Sequence, residues 1–105
     1  MPEATNGKPY DQFKEAKNAT PIPPNMHYAY ILRSISHPDK FYYGSTADLK
    51  KRIGVHQIGG NTSTRPFRPW TLVWYGGFPC KQTAEKFENY LKTASGKAFA
   101  RKRLL

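Results

Sequence analysis

One cysteine, Cys80, stands among 105 residues, so no internal disulfide can form and packing must hold the fold. Acids are scarce: seven Asp and Glu against 17 Lys and Arg give a formal net charge of +10. No apolar run approaches the roughly 18 residues a membrane span needs. The first residues lack the basic-then-apolar pattern of a secretory signal. An intracellular, reducing location is therefore expected, cytoplasmic or nucleoid-associated. Three histidines and one cysteine give a structural zinc site little material. The composition has neither the glycine period of collagen nor the low hydrophobic content of a disordered chain.

Against these absences stand six Phe, seven Tyr and two Trp, enough aromatic surface for one modest core. The charge is unevenly placed. Residues 1–25 hold three Lys and three acids, whereas residues 26–105 hold 14 basic and four acidic residues and so carry the whole excess. Such a field on about 80 residues points to a polyanionic partner, nucleic acid first. A basic amphipathic helix with a clean apolar stripe is missing, which argues against a membrane surface. Charge alone does not separate DNA from RNA. It also leaves open a protein-interaction domain whose charge serves only solubility.

The chain divides in two. Residues 1–25 hold five of the nine prolines and read as an extended Pro-rich tail, with a short helix predicted near Tyr10–Lys17. Residues 26–105 read as one domain. His27–Ser34 is rich in strand formers, with Tyr28, Tyr30 and Leu32 on one face. A turn at Ser36–Lys40 leads to a second strand, Phe41–Gly44, and the pair predicts an antiparallel hairpin. Ser45-Thr46 offers an N-cap for a helix from about Ala47 to Gln57, with Asp48 in its first turn. Gly59-Gly60 ends it, and a basic loop follows over residues 61–69. Trp70–Tyr75 predicts a third strand, broken by Gly76-Gly77. Thr83 is expected to cap a helix from Ala84 to about Lys92, and a short basic helix to start at Lys97. The order β-β-α-β-α-α predicts a small α+β domain, a three-stranded antiparallel sheet flanked by helices.

Spacing brings several polar residues together. Tyr30 and Tyr42 fall on adjacent strands, where their rings can approach across the hairpin. Leu49, Arg52, Ile53 and His56 share one helix side at i, i+3, i+4 and i+7. Ala84, Phe87 and Leu91 make an apolar face in the later helix, and Glu88 borders it. A carboxylate on that rim suits a hard divalent cation, and it is also spaced to pair with Lys92 at i+4. Trp70, Trp74 and Phe87 read as core.

Five pieces in order then resemble a known family. They are Tyr28-Ala29-Tyr30-Ile31-Leu32, Tyr42-Tyr43-Gly44-Ser45-Thr46, Leu49-x-x-Arg52-x-x-x-His56, Trp70-Thr71-Leu72-Val73 and Ala84-x-x-x-Glu88-x-x-x-Lys92. Over residues 27–104 the sequence resembles the GIY-YIG nuclease superfamily, most nearly its small members akin to the nuclease module of excinuclease C. Tyr28-Ala29-Tyr30 and Tyr42-Tyr43-Gly44 stand in degenerate form where the family name has its two tripeptides.

The resemblance implies a metal-dependent endonuclease acting on phosphodiester bonds in DNA. Glu88 would hold one cation, Mg²⁺ or Mn²⁺. Arg52 would contact the scissile phosphate with its planar fork. Tyr30 or Tyr42 would act as general base or orient the attacking water, and His56 would accept a proton or hold a tyrosine hydroxyl. Arg65, Arg68, Lys92, Lys97 and Arg101 are the residues expected to contact nucleic-acid phosphates. With so short a chain, substrate specificity would come from DNA shape, the tail or a protein partner. One departure stands out: many family members carry an Asn about a dozen residues after the metal Glu, where this chain has Ala100. The alternative is a catalytically weak nucleic-acid-binding module that keeps the fold.

Overall fold

The computed structural model describes residues 26–105. The proline-rich tail and the helix expected near Tyr10–Lys17 lie outside the described residues. The elements run β1 (His27–Ser34), β2 (Phe41–Thr46), α1 (Leu49–Gln57), a 3₁₀ turn (Arg65–Phe67), β3 (Trp70–Phe78), α2 (Lys81–Leu91) and α3 (Ala94–Arg103). This is the α+β order that the pattern predicts.

β1 is the central strand of an antiparallel sheet ordered β2-β1-β3. Its alternation of side chains divides the core in two. On one face Tyr30, Leu32 and Trp70 cluster with Leu49 and Ile53 of α1. On the other Ile31, Leu91 and Ala100 cluster with Phe87 of α2, and Leu104 closes the end. Each fully buried Ile or Leu contributes about 1.5–3 kcal/mol, so the two helical layers clamp β1 from both sides. Against β3 the register slips between Ile31 and Leu32, so that Ile31 faces Trp74 while Leu32 faces Leu72. Val73 is the extra residue of this bulge and joins the Ile31 cluster.

The element boundaries depart from expectation at five places. β2 continues through Ser45 and Thr46, and α1 starts at Leu49 with Asp48 as its N-cap. The Asp48 carboxylate accepts from the Lys51 backbone N–H at 3.0 Å, while Thr46 Oγ1 accepts from the Asp48 N–H at 3.1 Å. Ser45, Thr46 and Asp48 all have capping side chains, and the last of them starts the helix. β3 does not break at Gly76-Gly77 but runs on to Phe78. Those glycines leave room for neighbouring side chains: a Cβ on Gly76 would stand 2.7 Å from the Trp74 ring, and one on Gly77 2.5 Å from the end of Met26 and 3.3 Å from the Tyr28 ring. α2 begins at Lys81, before Thr83. α3 begins at Ala94, capped by Thr93, whose Oγ1 accepts from the Gly96 N–H at 3.0 Å. Gly96 is buried where α3 crosses the end of α2, and any side chain there would collide with the Tyr90 carbonyl.

Candidate active site

β1, β2 and α1 bring three rings together. Tyr30 is 1% exposed on β1, and its cross-strand partner is Gly44 of β2. Tyr42, one step diagonal to it, is half-buried, with ring centroids 6.2 Å apart. His56, on the last turn of α1, lies 6.0 Å from the Tyr30 ring and 4.7 Å from the Tyr42 ring. Gly44 makes this possible. A Cβ there would stand 2.5 Å from Tyr30 Oη and 2.9 Å from the Tyr42 ring. Its function is clearance under two phenols, not a tight exit from the strand, because β2 continues past it.

His56 is completely buried and satisfied at both nitrogens. Nε2 lies 3.0 Å from Tyr30 Oη, and Nδ1 lies 2.8 Å from Thr64 Oγ1. Thr64 Oγ1 also faces the Asn61 carbonyl at 3.4 Å, which can only accept. The single Thr64 proton then goes to Asn61, so His56 donates through Nδ1 and accepts the Tyr30 hydroxyl at Nε2. Trp70 fastens the same loop, its Nε1–H donating to the Thr64 carbonyl at 3.0 Å.

Burial, then the nearby Tyr42 and Glu88, push the Tyr30 phenol well above its ordinary range, with Arg52 opposing. Burial and the Arg52 charge hold His56 below its usual value. Tyr30 is therefore a neutral donor and His56 a neutral acceptor at pH 7. Arg52 lies one turn before His56 on α1, exposed at the mouth. Among the described residues it pairs with no carboxylate.

Glu88 lies on α2, which packs on the face of β1 opposite α1. The Ser45 hydroxyl donates to its Oε1 at 2.6 Å, and the Lys92 ammonium to its Oε2 at 2.7 Å. Its side chain is 18% exposed and that of Lys92 50%. Glu88 thus does make the i+4 pair, and it also lies within electrostatic reach of Tyr30. Among the described residues no three His, Cys, Asp or Glu side chains gather as a metal cage, so Glu88 stands as a single carboxylate ligand candidate.

Four of the five residues expected to touch phosphates fall into two groups, and Lys92 stands apart. Arg65 and Arg68 line an open depression beside Gln57, each with Nε tied to a backbone carbonyl. Lys97 lies across the sheet on α3, its ammonium 6.0 Å from the Tyr43 ring, and the Arg101 charge also acts on Tyr43. Lys92 is held by Glu88. Ala100, in the position expected for the late Asn, is wholly buried against Ile31 and Leu91.

The model of the GIY-YIG catalytic domain matches residues 26–103. The chain belongs to the GIY-YIG family. Among its relatives is the structure-specific endonuclease subunit SLX1 of Candida dubliniensis, 39% identical over 74% of this chain and 30% of that one. The protein of the same name from Debaryomyces hansenii is 32% identical over 79% of this chain and 26% of that one. This GIY-YIG chain thus spans less than a third of the length of either. The solution NMR structure of the UPF0213 protein BH0048 from Bacillus halodurans is 32% identical, covering 73% of this chain and 83% of that one, with a TM-score of 0.45.

Sequence reasoning missed two residues that hold this candidate site together. Thr64, which holds His56, lies in the basic loop and carries no periodic signal. Ser45 has the character of a helix cap; its position one residue beyond Gly44 on a continuing strand is what aims it at Glu88.

Proposed function

We propose that this GIY-YIG domain is a DNA endonuclease that hydrolyses phosphodiester bonds with one divalent cation, Mg²⁺ or Mn²⁺. The observation that carries the reading is the grouping of Tyr30, Tyr42 and His56 in ring contact over Gly44, with the Arg52 and Glu88 charges acting on Tyr30, on a chain of net charge +10. Glu88 fits a hard cation: it is one carboxylate at the rim, oriented by Ser45, and it already attracts an ammonium to Oε2. When bound, the cation would act as a Lewis acid toward a phosphoryl oxygen.

The side chains divide the remaining tasks. Arg52, exposed and without a carboxylate partner among the described residues, binds the scissile phosphate and stabilises its growing charge. Tyr42, the half-buried ring, orients the attacking water through its hydroxyl. Tyr30 stays protonated and fixes the cluster by donating to His56. Arg65, Arg68, Lys97 and Arg101 hold the flanking backbone.

The relatives named SLX1 are described as subunits and as structure-specific. Branched DNA as substrate, a protein partner that supplies specificity, a role in DNA repair and an intracellular location belong to the same proposal. The buried Ala100 favours a second reading, a nucleic-acid-binding module with weak catalysis, because no amide occupies that helix position.

Cleavage of supercoiled plasmid with Mg²⁺ or Mn²⁺, beside EDTA and Glu88→Gln, separates the two. The endonuclease relaxes the plasmid with metal, and Glu88→Gln loses at least about 100-fold while still binding DNA. Binding without relaxation by either protein supports the module instead.

A further inference from the structure

A second opening lies beside the site on the same face of the sheet. It is a groove of about 510 Å³ lined by Tyr28, Leu49, Lys50, Ile53, Leu72 and Tyr75. Tyr75 is the cross-strand partner of Tyr30 on β3, and Tyr28 lies two residues before Tyr30 on β1. All three therefore point to one face, with Tyr28 about 7 Å along the strand from Tyr30. Tyr28 and Tyr75 meet edge to face at 6.3 Å and 62°. That packing leaves Tyr75 55% exposed. Asp48, at the start of α1, lines both this groove and the smaller depression beside Arg52.

We propose that this groove is a base-stacking subsite that takes an unpaired nucleobase of the DNA substrate, next to the phosphate bound at Arg52. The proposal rests on the endonuclease reading above and names the feature of DNA that the site prefers. An exposed tyrosine ring offers a flat surface on which any base can stack. Lys50 at the groove and Lys51 and Arg52 beside it supply charge for the phosphates on either side of that base. The net charge of +10 favours a polyanion over an apolar peptide as its occupant. A paired duplex would have to unstack a base to fill it, whereas a flap, junction or frayed end presents one already free. The groove thereby converts an aromatic surface into a preference for branched DNA.

The test uses the full chain in EDTA, a flap DNA carrying 2-aminopurine unpaired at the branch, and a plain duplex of equal length. The wild type quenches the 2-aminopurine on binding. Tyr75→Ala loses that quenching and binds the flap roughly tenfold more weakly, the order expected for one lost stack, with duplex affinity unchanged. Tyr75→Trp keeps both properties, and thermal unfolding checks that each variant is folded. Equal losses on flap and duplex, or quenching that survives Tyr75→Ala, overturn the subsite. So does an unchanged flap affinity, the result expected if the groove takes an apolar peptide. A wild type that cuts plasmid while Tyr75→Ala discriminates normally sinks the subsite alone. A wild type that neither binds nor cuts DNA removes the endonuclease reading with it.

Discussion

The Tyr30 hydroxyl donates to His56 Nε2 across 3.0 Å, although 26 positions separate the two residues. The bond joins the central strand to the end of α1, and Thr64 closes it from behind at 2.8 Å. A buried chain of this kind is stable only when each member is satisfied. Its behaviour under pH and mutation follows from that.

His56 binds its proton less readily when folded than when unfolded, since burial and Arg52 lower its value below 6.5. Below that pH the unfolded chain takes up more protons, so the His56 contribution to stability is present above about 6.5 and is lost as pH falls. Urea midpoints are expected to drop between pH 7.5 and pH 5. His56→Gln, which cannot charge, flattens that part of the slope. A His56 imidazole that titrates by NMR above 6.5 would contradict the assignment.

Gly44→Ala drives a methyl group into Tyr30 Oη and the Tyr42 ring. Overpacking of this kind costs about 1–3 kcal/mol, read as a lower denaturant midpoint together with slower cleavage. Removing the hydroxyl relieves part of the clash. Tyr30→Phe with Gly44→Ala is therefore expected to be more stable than the sum of the single changes predicts, which a double-mutant cycle measures.

Lys92 competes for the Glu88 oxygen that a cation would use. Exposed pairs are worth about 0.2–1 kcal/mol, so Lys92→Met should tighten Mn²⁺ binding by about two- to fivefold. Calorimetry on the metal alone reads this directly. An unchanged affinity would mean that the ion pair and the cation do not share a site.

The two basic groups can be told apart by salt. Each phosphate contact adds about 0.9 to the slope of log K against log salt on duplex DNA. Removing Arg65 and Arg68 together, or Lys97 and Arg101 together, lowers the slope by about 1.8 for whichever pair touches DNA. A pair whose loss leaves the slope intact lies off the path of the duplex.

Much of the fold was legible because side-chain periods are local. Tyr28, Tyr30 and Leu32 announced one face of β1, and Leu49, Ile53 and His56 one side of α1. The helix starts were less legible. Ser45, Thr46 and Asp48 are all competent caps, and the pairing of Ser45 with Ala29 and of Thr46 with Tyr28 keeps the strand going past the first two. Gly76 and Gly77 read as breakers because their value is in the space they leave for Trp74 and Met26, which no local pattern records.

The sequence by itself determined the order of elements and the basic charge, because propensity, alternation and helical spacing are properties of neighbouring residues; the residues proposed for phosphodiester chemistry came from the resemblance to a family. Only the tertiary structure decided how those residues work together. It buried Tyr30 and left Tyr42 half open, gave His56 to Thr64 as well as to Tyr30, and turned Ser45 toward Glu88. Those outcomes depend on register, on the two-sided clamping of β1 and on desolvation. All three arise from contacts between residues distant in the chain.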